Sequence, residues 1–480
     1  MNRNRIKELK KGSIKPDAKY VLYWMQQAQR VNFNHALEYA IQVANENYLP
    51  VLVYFGLSAN YPEANRRHYQ FMLEGLKEVF LILKKFNISY VLKFASPEKG
   101  ILEFLDQAHS LIIDQGYLRH QRLWRDEVIE YANNNQKDLS IYCVDTDLIV
   151  PVEIASNKAE YGAYTLRPKI KKLVHDYRDF TRLSTLQNQH QFNMISDDNL
   201  LDINQTLDRL NLNQGDLPKV FYRGGYLEAS KLLSLFLTQK VDHYLESSDP
   251  STDYTSKLSM YLHFGQISSL EIYERMSLSL EQGQIDGLAY DAYIEQLIIR
   301  RELAFNYVYY QKGYDQFDMM TESWAYQTMQ AHELDHKPYL YSLKQLELSQ
   351  THDPYFNAAM SEMYHTGFMH NYMRMYWAKK IIEWSPTFKK AYDTIKYLNN
   401  RYFIDGRDPN SYAGIAWCFG KHDRAWTERS IFGKLRYMNA KGLERKFDIN
   451  SYVHRIDIIV NTQYSIEKIT KSLYDKTKEK

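Results

Sequence analysis

The chain has 480 residues, 45% of them hydrophobic and 25% charged, the balance of a soluble protein long enough for two cores. Sixty Lys and Arg against 58 Asp and Glu leave a formal charge of +2, so no global field announces a polyanionic partner and any nucleic-acid surface must be local. Two distant cysteines, Cys143 and Cys418, argue against a disulfide framework or a C-x-x-C zinc site, and no run of about eighteen uncharged apolar residues occurs, so neither secretion nor membrane insertion is expected and a reducing cytoplasm fits.

From Tyr20 to about Val150, short apolar runs rich in β-branched and aromatic residues alternate with helix-like stretches such as His35–Asn47 and Arg66–Phe86. That order predicts a parallel sheet with crossover helices, an α/β domain over 1–150 whose ligands would sit at the carboxyl ends of the strands. No G-x-G-x-x-G follows the first strand and no phosphate-binding lysine loop is present, so neither of those nucleotide sites is written here. Residues 151–219 are polar and mixed and read as an inter-domain connector. From 220 to 462 strand signals nearly vanish, and stretches such as Asp291–Tyr310 and Gly367–Trp384 carry helical spacing, predicting an all-α second domain. The tail, 463–480, reads as a loosely held helix.

Four segments carry candidate chemistry. Tyr254–Ser268 offers small hydroxyls and backbone N–H groups beside a helix start, as a diphosphate requires, although an N-cap accounts for the same residues. In Asn399–Trp417, Asp405-Gly406 reads as a turn, with Arg374 and Asp405 as an ion pair joining helices. Trp377 and Trp384 stand seven apart, two helical turns or about 10 Å of rise, the spacing of a core stripe. Between Lys421 and Lys446 eight Lys and Arg face three acids, Asp423, Glu428 and Glu444, a surplus able to clamp phosphates or simply to solvate a surface.

The run Asn399–Trp417, extended through His422–Trp426 and Phe432–Met438, closely resembles the signature of class II cyclobutane pyrimidine dimer (CPD) photolyases, within the photolyase and cryptochrome superfamily. Val21–Arg30, Asn34–Glu38, Pro62–Tyr69 and Tyr161–Pro168 are similar to the same class, so the resemblance spans nearly the whole chain. It implies a Rossmann-like N-terminal antenna domain and a helical FAD-binding domain. The activity implied is that of a cytoplasmic, monomeric, light-driven carbon–carbon lyase acting on UV-damaged DNA. A second antenna chromophore, deazaflavin or folate, would accompany the FAD.

Carried over residue by residue, the resemblance assigns Thr255, Ser256, Lys257, Leu258 and Ser259 to the flavin diphosphate, with Met260 where the family usually has Pro. It adds Tyr244, Arg301, Arg407, Asp408 and Asn410 to the cradle, sets Asn399 against the reactive flavin nitrogen and puts the Arg374–Asp405 pair beside the ring. Amide and guanidinium donors suit a flavin that carries negative charge. Trp377 and Trp384 match the inner and outer members of the family's electron-transfer chain, Tyr341 matches a side branch, and Phe356 stands where the middle tryptophan belongs. Tyr355 offers another detour. Gln296 replaces a lesion-contacting glutamate; its amide donates to a thymine carbonyl but supplies no proton. Phe305 stands where Asp is common. Met375 and Trp417 match residues that pack the flipped dimer, and Arg424, Arg429, Lys434, Arg436 and Lys441 form the expected DNA clamp. The alternative within the superfamily is a cryptochrome-like light sensor that has lost repair; a nucleic-acid module without flavin would leave the loop at Thr255 unexplained.

Overall fold

The computed structural model describes residues 1–13, 15–178, 183–192, 196–212 and 221–478, with side chains through Gln463. Six strands form one sheet in the order β1-β6-β5-β2-β3-β4: β1 (Ile6–Lys10), β2 (Tyr20–Trp24), β3 (Val51–Gly56), β4 (Ser89–Lys93), β5 (Ala108–Asp114) and β6 (Ser140–Val144). Strands β2 to β6 pair in parallel, as the alternating pattern requires. Every residue of β2 and β3 is buried, because α1 (His35–Glu46), α2 (Arg66–Lys85) and α3 (Arg119–Asn135) cover the sheet from both sides. The sequence reading omitted β1, which adds antiparallel to β6 at the edge. Its Ile-Lys-Glu-Leu-Lys composition is half-exposed and charged, the composition that protects a sheet edge and mutes the strand signal.

Residues 151–212 are more than a connector. Helix α4 (Ala163–Leu173) packs Leu166 and Ile170 into the same core as Leu258, Tyr261 and Ile298 of the helical region, whereas Leu186, Leu200 and Leu207 complete the core of the sheet region. The polar residues between these leucines obscured that packing in the sequence.

The remainder is helical, as expected, with a single isolated bridge, Arg429 to Gly433, among the described residues. Helices α5 (Tyr226–Gln239), α6 (Ser269–Glu281) and α7 (Gly287–Ile294) lead through a π-helical turn, Glu295–Arg300, into α8 (Arg301–Tyr310). Then follow α9 (Pro354–Thr366), α10 (Asn371–Glu383), α11 (Phe388–Tyr402), α12 (Pro409–Cys418) and α13 (Ile449–Lys478). Two Asp-Pro pairs open helices by the same device: Asp353 accepts the backbone N–H groups of Tyr355 and Phe356, Asp408 accepts that of Asn410, and the proline takes the first helical position, where no N–H is needed. The backbone of the tail continues α13 to Lys478.

Buried polar contacts fix the seam between the two regions. Arg30 donates to the carbonyls of Gly265 (3.0 Å) and Thr146 (2.5 Å). A side chain at Gly265, whose φ is +64°, would strike the Gln27 carbonyl at 1.9 Å, so glycine permits this approach. At the start of α2, Asn65 donates to the Arg401 carbonyl (2.6 Å), and His68 Nε2 lies 2.9 Å from that of Phe403. The sheet region thereby holds the end of α11, from which the chain turns into Asp405.

Candidate cofactor and nucleic-acid site

A cavity of about 180 Å³ opens between α9, α13 and the segment before Ser259, lined among others by Thr255, Lys257, Glu362, Phe368 and Arg455. Ser256 hangs from Tyr293, whose hydroxyl donates to Ser256 Oγ at 3.2 Å; the Tyr293 ring in turn lies edge-on to Tyr244 at 5.0 Å. Burial pushes the Tyr244 phenol up to about 12, so it stays a neutral hydroxyl. Lys257 adopts φ +55° and sets its ammonium 5.8 Å from the Phe368 ring, and Arg374 lies 5.6 Å from the same ring. Leu258 is buried at the cap of the short helix Ser259–His263, with Ser259 itself exposed.

From Phe368 the polar wall continues into the Arg374–Asp405 pair, 3.1 Å apart. The guanidinium stacks 4.0 Å over Phe403 and donates its Nε hydrogen to the Met369 carbonyl at 3.0 Å, which fixes its plane. Asp405 Oδ1 is buried and stands 3.1 Å from Arg374 Nη2 in the ion pair without an aligned hydrogen bond, and Asn399, buried one helical turn before Phe403, donates to Asn400 Oδ1 at 3.1 Å. A buried carboxylate oxygen without an aligned donor is costly unless a further donor arrives. These donors and this acceptor fit a ligand that both gives and takes hydrogen bonds, as a flavin ring does.

Four expected cradle residues have partners within the chain. Arg301 is held by Asp147, through its Oδ1 (2.5 Å) and its carbonyl (3.1 Å), at the domain seam. Arg407 donates to the Asn400 carbonyl and turns toward Tyr61 in the sheet region. Asp408 caps α12 and meets His263 Nδ1 at 3.0 Å; burial raises its carboxyl, but the His263 contact outweighs this and holds it below the usual range. Asn410 is exposed and donates to Asp408 at 2.8 Å. These residues brace the turn at Asp405.

Trp377 is buried, 6.2 Å edge-on from Phe403, and its Nε1 has no hydrogen-bond partner. Phe356, fully buried, lies 5.1 Å from Trp384, and Tyr341 also meets Trp384 at 5.1 Å. Tyr355 turns away to donate to Glu444 at 3.0 Å. Phe305 supports Arg301, 4.6 Å from its guanidinium, and edges against Tyr117 of the sheet region.

On the outer surface Trp417 is half-buried and Trp426 is exposed, and the Arg436 guanidinium lies between them, 5.1 and 4.4 Å from the two rings, tied to Asp423 at 3.2 Å. Arg424 covers Trp426 at 5.4 Å, and Arg429 lies 5.4 Å from Tyr437. Arg424, Arg429, Lys434 and Lys441 are exposed, as a phosphate clamp needs, but Lys421 is buried and paired with Glu322 at 2.5 Å, so it leaves the basic surface. Met375 is half-buried on α10, and Gln296 is exposed on the π-helical turn. Sequence reasoning did not single out Trp426 or Lys379; the first was signalled only by an aromatic inside a basic run. Lys379 is fully buried 5.8 Å from the Trp417 ring and donates to the Cys418 carbonyl at 2.6 Å, and burial lowers its ammonium to about 8.

A second cavity, of about 120 Å³, lies at the carboxyl ends of β2 and β3 between Met25, Gln27, Leu57, Tyr61, Trp124 and Arg407. Tyr61 Oη contacts His120 Nε2 at 2.7 Å, which fixes its ring.

The DNA photolyase family matches residues 21–188, and the FAD binding domain of DNA photolyase matches residues 298–456. The deoxyribodipyrimidine photo-lyase of Methanothermobacter thermautotrophicus is 43% identical over 91% of this chain and 94% of its own. Those of Arabidopsis thaliana (36%; 98% and 96%) and Potorous tridactylus (34%; 95% and 85%) are similar along nearly the same length. Among solved structures, a class III photolyase from Agrobacterium tumefaciens (TM-score 0.69, 16% identity, 92% and 87% covered) and a Synechocystis cryptochrome (0.71, 14%, 92% and 89%) share the fold.

Proposed function

The chain belongs to the DNA photolyase family, and on that footing we propose that it is a deoxyribodipyrimidine photo-lyase of class II, splitting cyclobutane pyrimidine dimers in UV-damaged DNA with light and reduced FAD. The observation that carries the reading is the continuous wall from Lys257 through Phe368 to the Arg374–Asp405 ion pair, with its buried carboxylate. Bound reduced FAD supplies light absorption and the electron for the dimer.

The residues of the chain do the rest. Lys257, Thr255 and Ser256 face the diphosphate with a cation and hydroxyls. Arg374 and Asn399 present donors where negative charge gathers, and Asp405 keeps Arg374 in place. Trp417 and Met375 give an apolar, aromatic face to an extruded dimer, whose pairing and stacking are already weakened by damage. Gln296 offers its amide to a pyrimidine carbonyl, and Arg424, Arg429, Arg436, Lys434 and Lys441 hold the flanking phosphates. The cavity at the carboxyl ends of β2 and β3 takes a flat second chromophore, deazaflavin or folate, with Trp124 and Tyr61 as aromatic walls. The protein acts as a cytoplasmic monomer; among the described residues no helix is long and apolar enough to cross a membrane.

The test is anaerobic repair. Protein reconstituted with FAD and chemically reduced is illuminated with a dimer-containing oligonucleotide, and recovery of thymine absorbance is followed. Recovery supports the reading. Protein that binds FAD yet restores no absorbance would refute repair and favour a light sensor of the same fold.

A further inference from the structure

Trp384 is the last buried aromatic before the surface, and what lies beyond it is a phenol with a base attached. Tyr341 meets Trp384 edge-on at 5.1 Å, and its Oη lies 2.6 Å from His352 Nδ1. The same oxygen accepts the backbone N–H of His352 at 3.1 Å. With that hydrogen occupying one side of Oη, the phenolic hydrogen has Nδ1 as its acceptor whenever the imidazole carries its own hydrogen on Nε2. His352 is exposed and stacked on Tyr339 at 3.9 Å, so its ring is held while its far nitrogen reaches solvent.

Two observations disfavour a positive charge resting further inside. Trp377 Nε1 is buried without a hydrogen-bond partner, so an oxidised Trp377 has no base for its proton and remains a cation. Phe356, another ring against Trp384, is too hard to oxidise to hold the charge.

We propose that His352 is the proton acceptor for oxidation of Tyr341, which makes Tyr341 the terminal electron donor during light-driven reduction of the oxidised flavin. The inference rests on the flavoprotein reading above. Photoexcited oxidised flavin is the oxidant and takes one electron by way of Trp377. The deficit passes to Trp384, and Tyr341 refills it with one electron while its Oη–H bond breaks and the proton moves to His352 Nδ1. The products are a neutral tyrosyl radical and an imidazolium whose Nε2–H can pass to water. Because the tyrosyl is neutral, the separated electron has no cation to return to.

The experiment uses the full chain loaded with oxidised FAD, illuminated without added reductant, with freeze-quench paramagnetic resonance and transient absorption as readouts. The parent should give a neutral tyrosyl signal, which Tyr341→Phe removes. His352→Gln keeps a hydrogen-bond acceptor but cannot take the proton, and should slow tyrosyl formation by about a hundredfold and change its solvent deuterium effect. Its flavin spectrum and its repair after chemical reduction should match the parent. Equal tyrosyl rates in parent and His352→Gln, or a tryptophan radical alone in a parent that photoreduces, would overturn the assignment. A parent that takes up no FAD would overturn the flavoprotein reading, and the inference with it.

Discussion

Replacing Arg374 with leucine tests the cofactor wall at its most exposed weakness, the Asp405 carboxylate. Arg374 is the only hydrogen-bond donor that the described residues direct at this carboxylate, its Nη2 standing 3.1 Å from both oxygens. Stranding a buried charge by deleting its partner costs about 3–5 kcal/mol, and because the Arg374 side chain is 24% exposed, screening places this pair at the lower end, about 3 kcal/mol. Asp405→Asn is milder, about 1 kcal/mol, since the freed guanidinium keeps the Met369 carbonyl and some water. The double variant should recover about 1–2 kcal/mol relative to the sum of the singles. Urea unfolding of the FAD-free protein, followed by far-UV circular dichroism, measures the cycle; repeating it with FAD present should enlarge the loss for Arg374→Leu, because a ligand bound only to the folded state adds stability. Additivity within about 0.5 kcal/mol, or a loss below about 1 kcal/mol for Arg374→Leu, would refute the view that this pair is coupled and buried.

Burial raises the Glu302 carboxyl to about 8, against the backbone N–H groups of Ile149 and Val150 that favour its charge, whereas in the unfolded chain it ionises near 4.5. Between those values the unfolded chain holds fewer protons, so stability falls as pH rises; Glu302→Gln should flatten that fall in urea midpoints taken from pH 5 to 8, and an unchanged slope would place the titration elsewhere. Trp417→Ala should weaken binding of dimer-containing DNA far more than that of intact DNA in competition gel shifts; equal losses would take Trp417 out of the lesion pocket. Phe356→Trp should speed light-driven flavin reduction measured by bleaching at the flavin band, with about 1–3 kcal/mol of overpacking in a fully buried site; an unaltered rate would mean that Phe356 interrupts nothing. Arg424→Gln with Arg429→Gln should lower the slope of log affinity against log salt by about one for each phosphate that the protein no longer neutralises, and an unchanged slope would show both as bystanders.

The sequence alone determined the order of elements, because its signals are local. Short apolar runs bounded by polar stretches read as parallel strands, and the helical spacing of Asp291–Tyr310 and Gly367–Trp384 reads as helix. It also offered candidate cradle residues, since Thr255–Ser259 and Asn399–Asn410 are contiguous stretches whose resemblance is read without knowing what they touch. Three things only the tertiary structure decided. Charged β1 became a strand because the β6 edge was there to pair with it. Arg301 and Arg407 found their partners, Asp147 and Tyr61, across a seam that no local pattern describes. The company of Trp384, with Tyr341 and His352 brought against it from another segment, arose because the end of α10 and the stretch before α9 pack together. Propensity and capping act over a few residues and are written in the order of the chain, whereas partners of buried charges and rings are chosen by packing between distant segments, where desolvation makes each unpaired group costly.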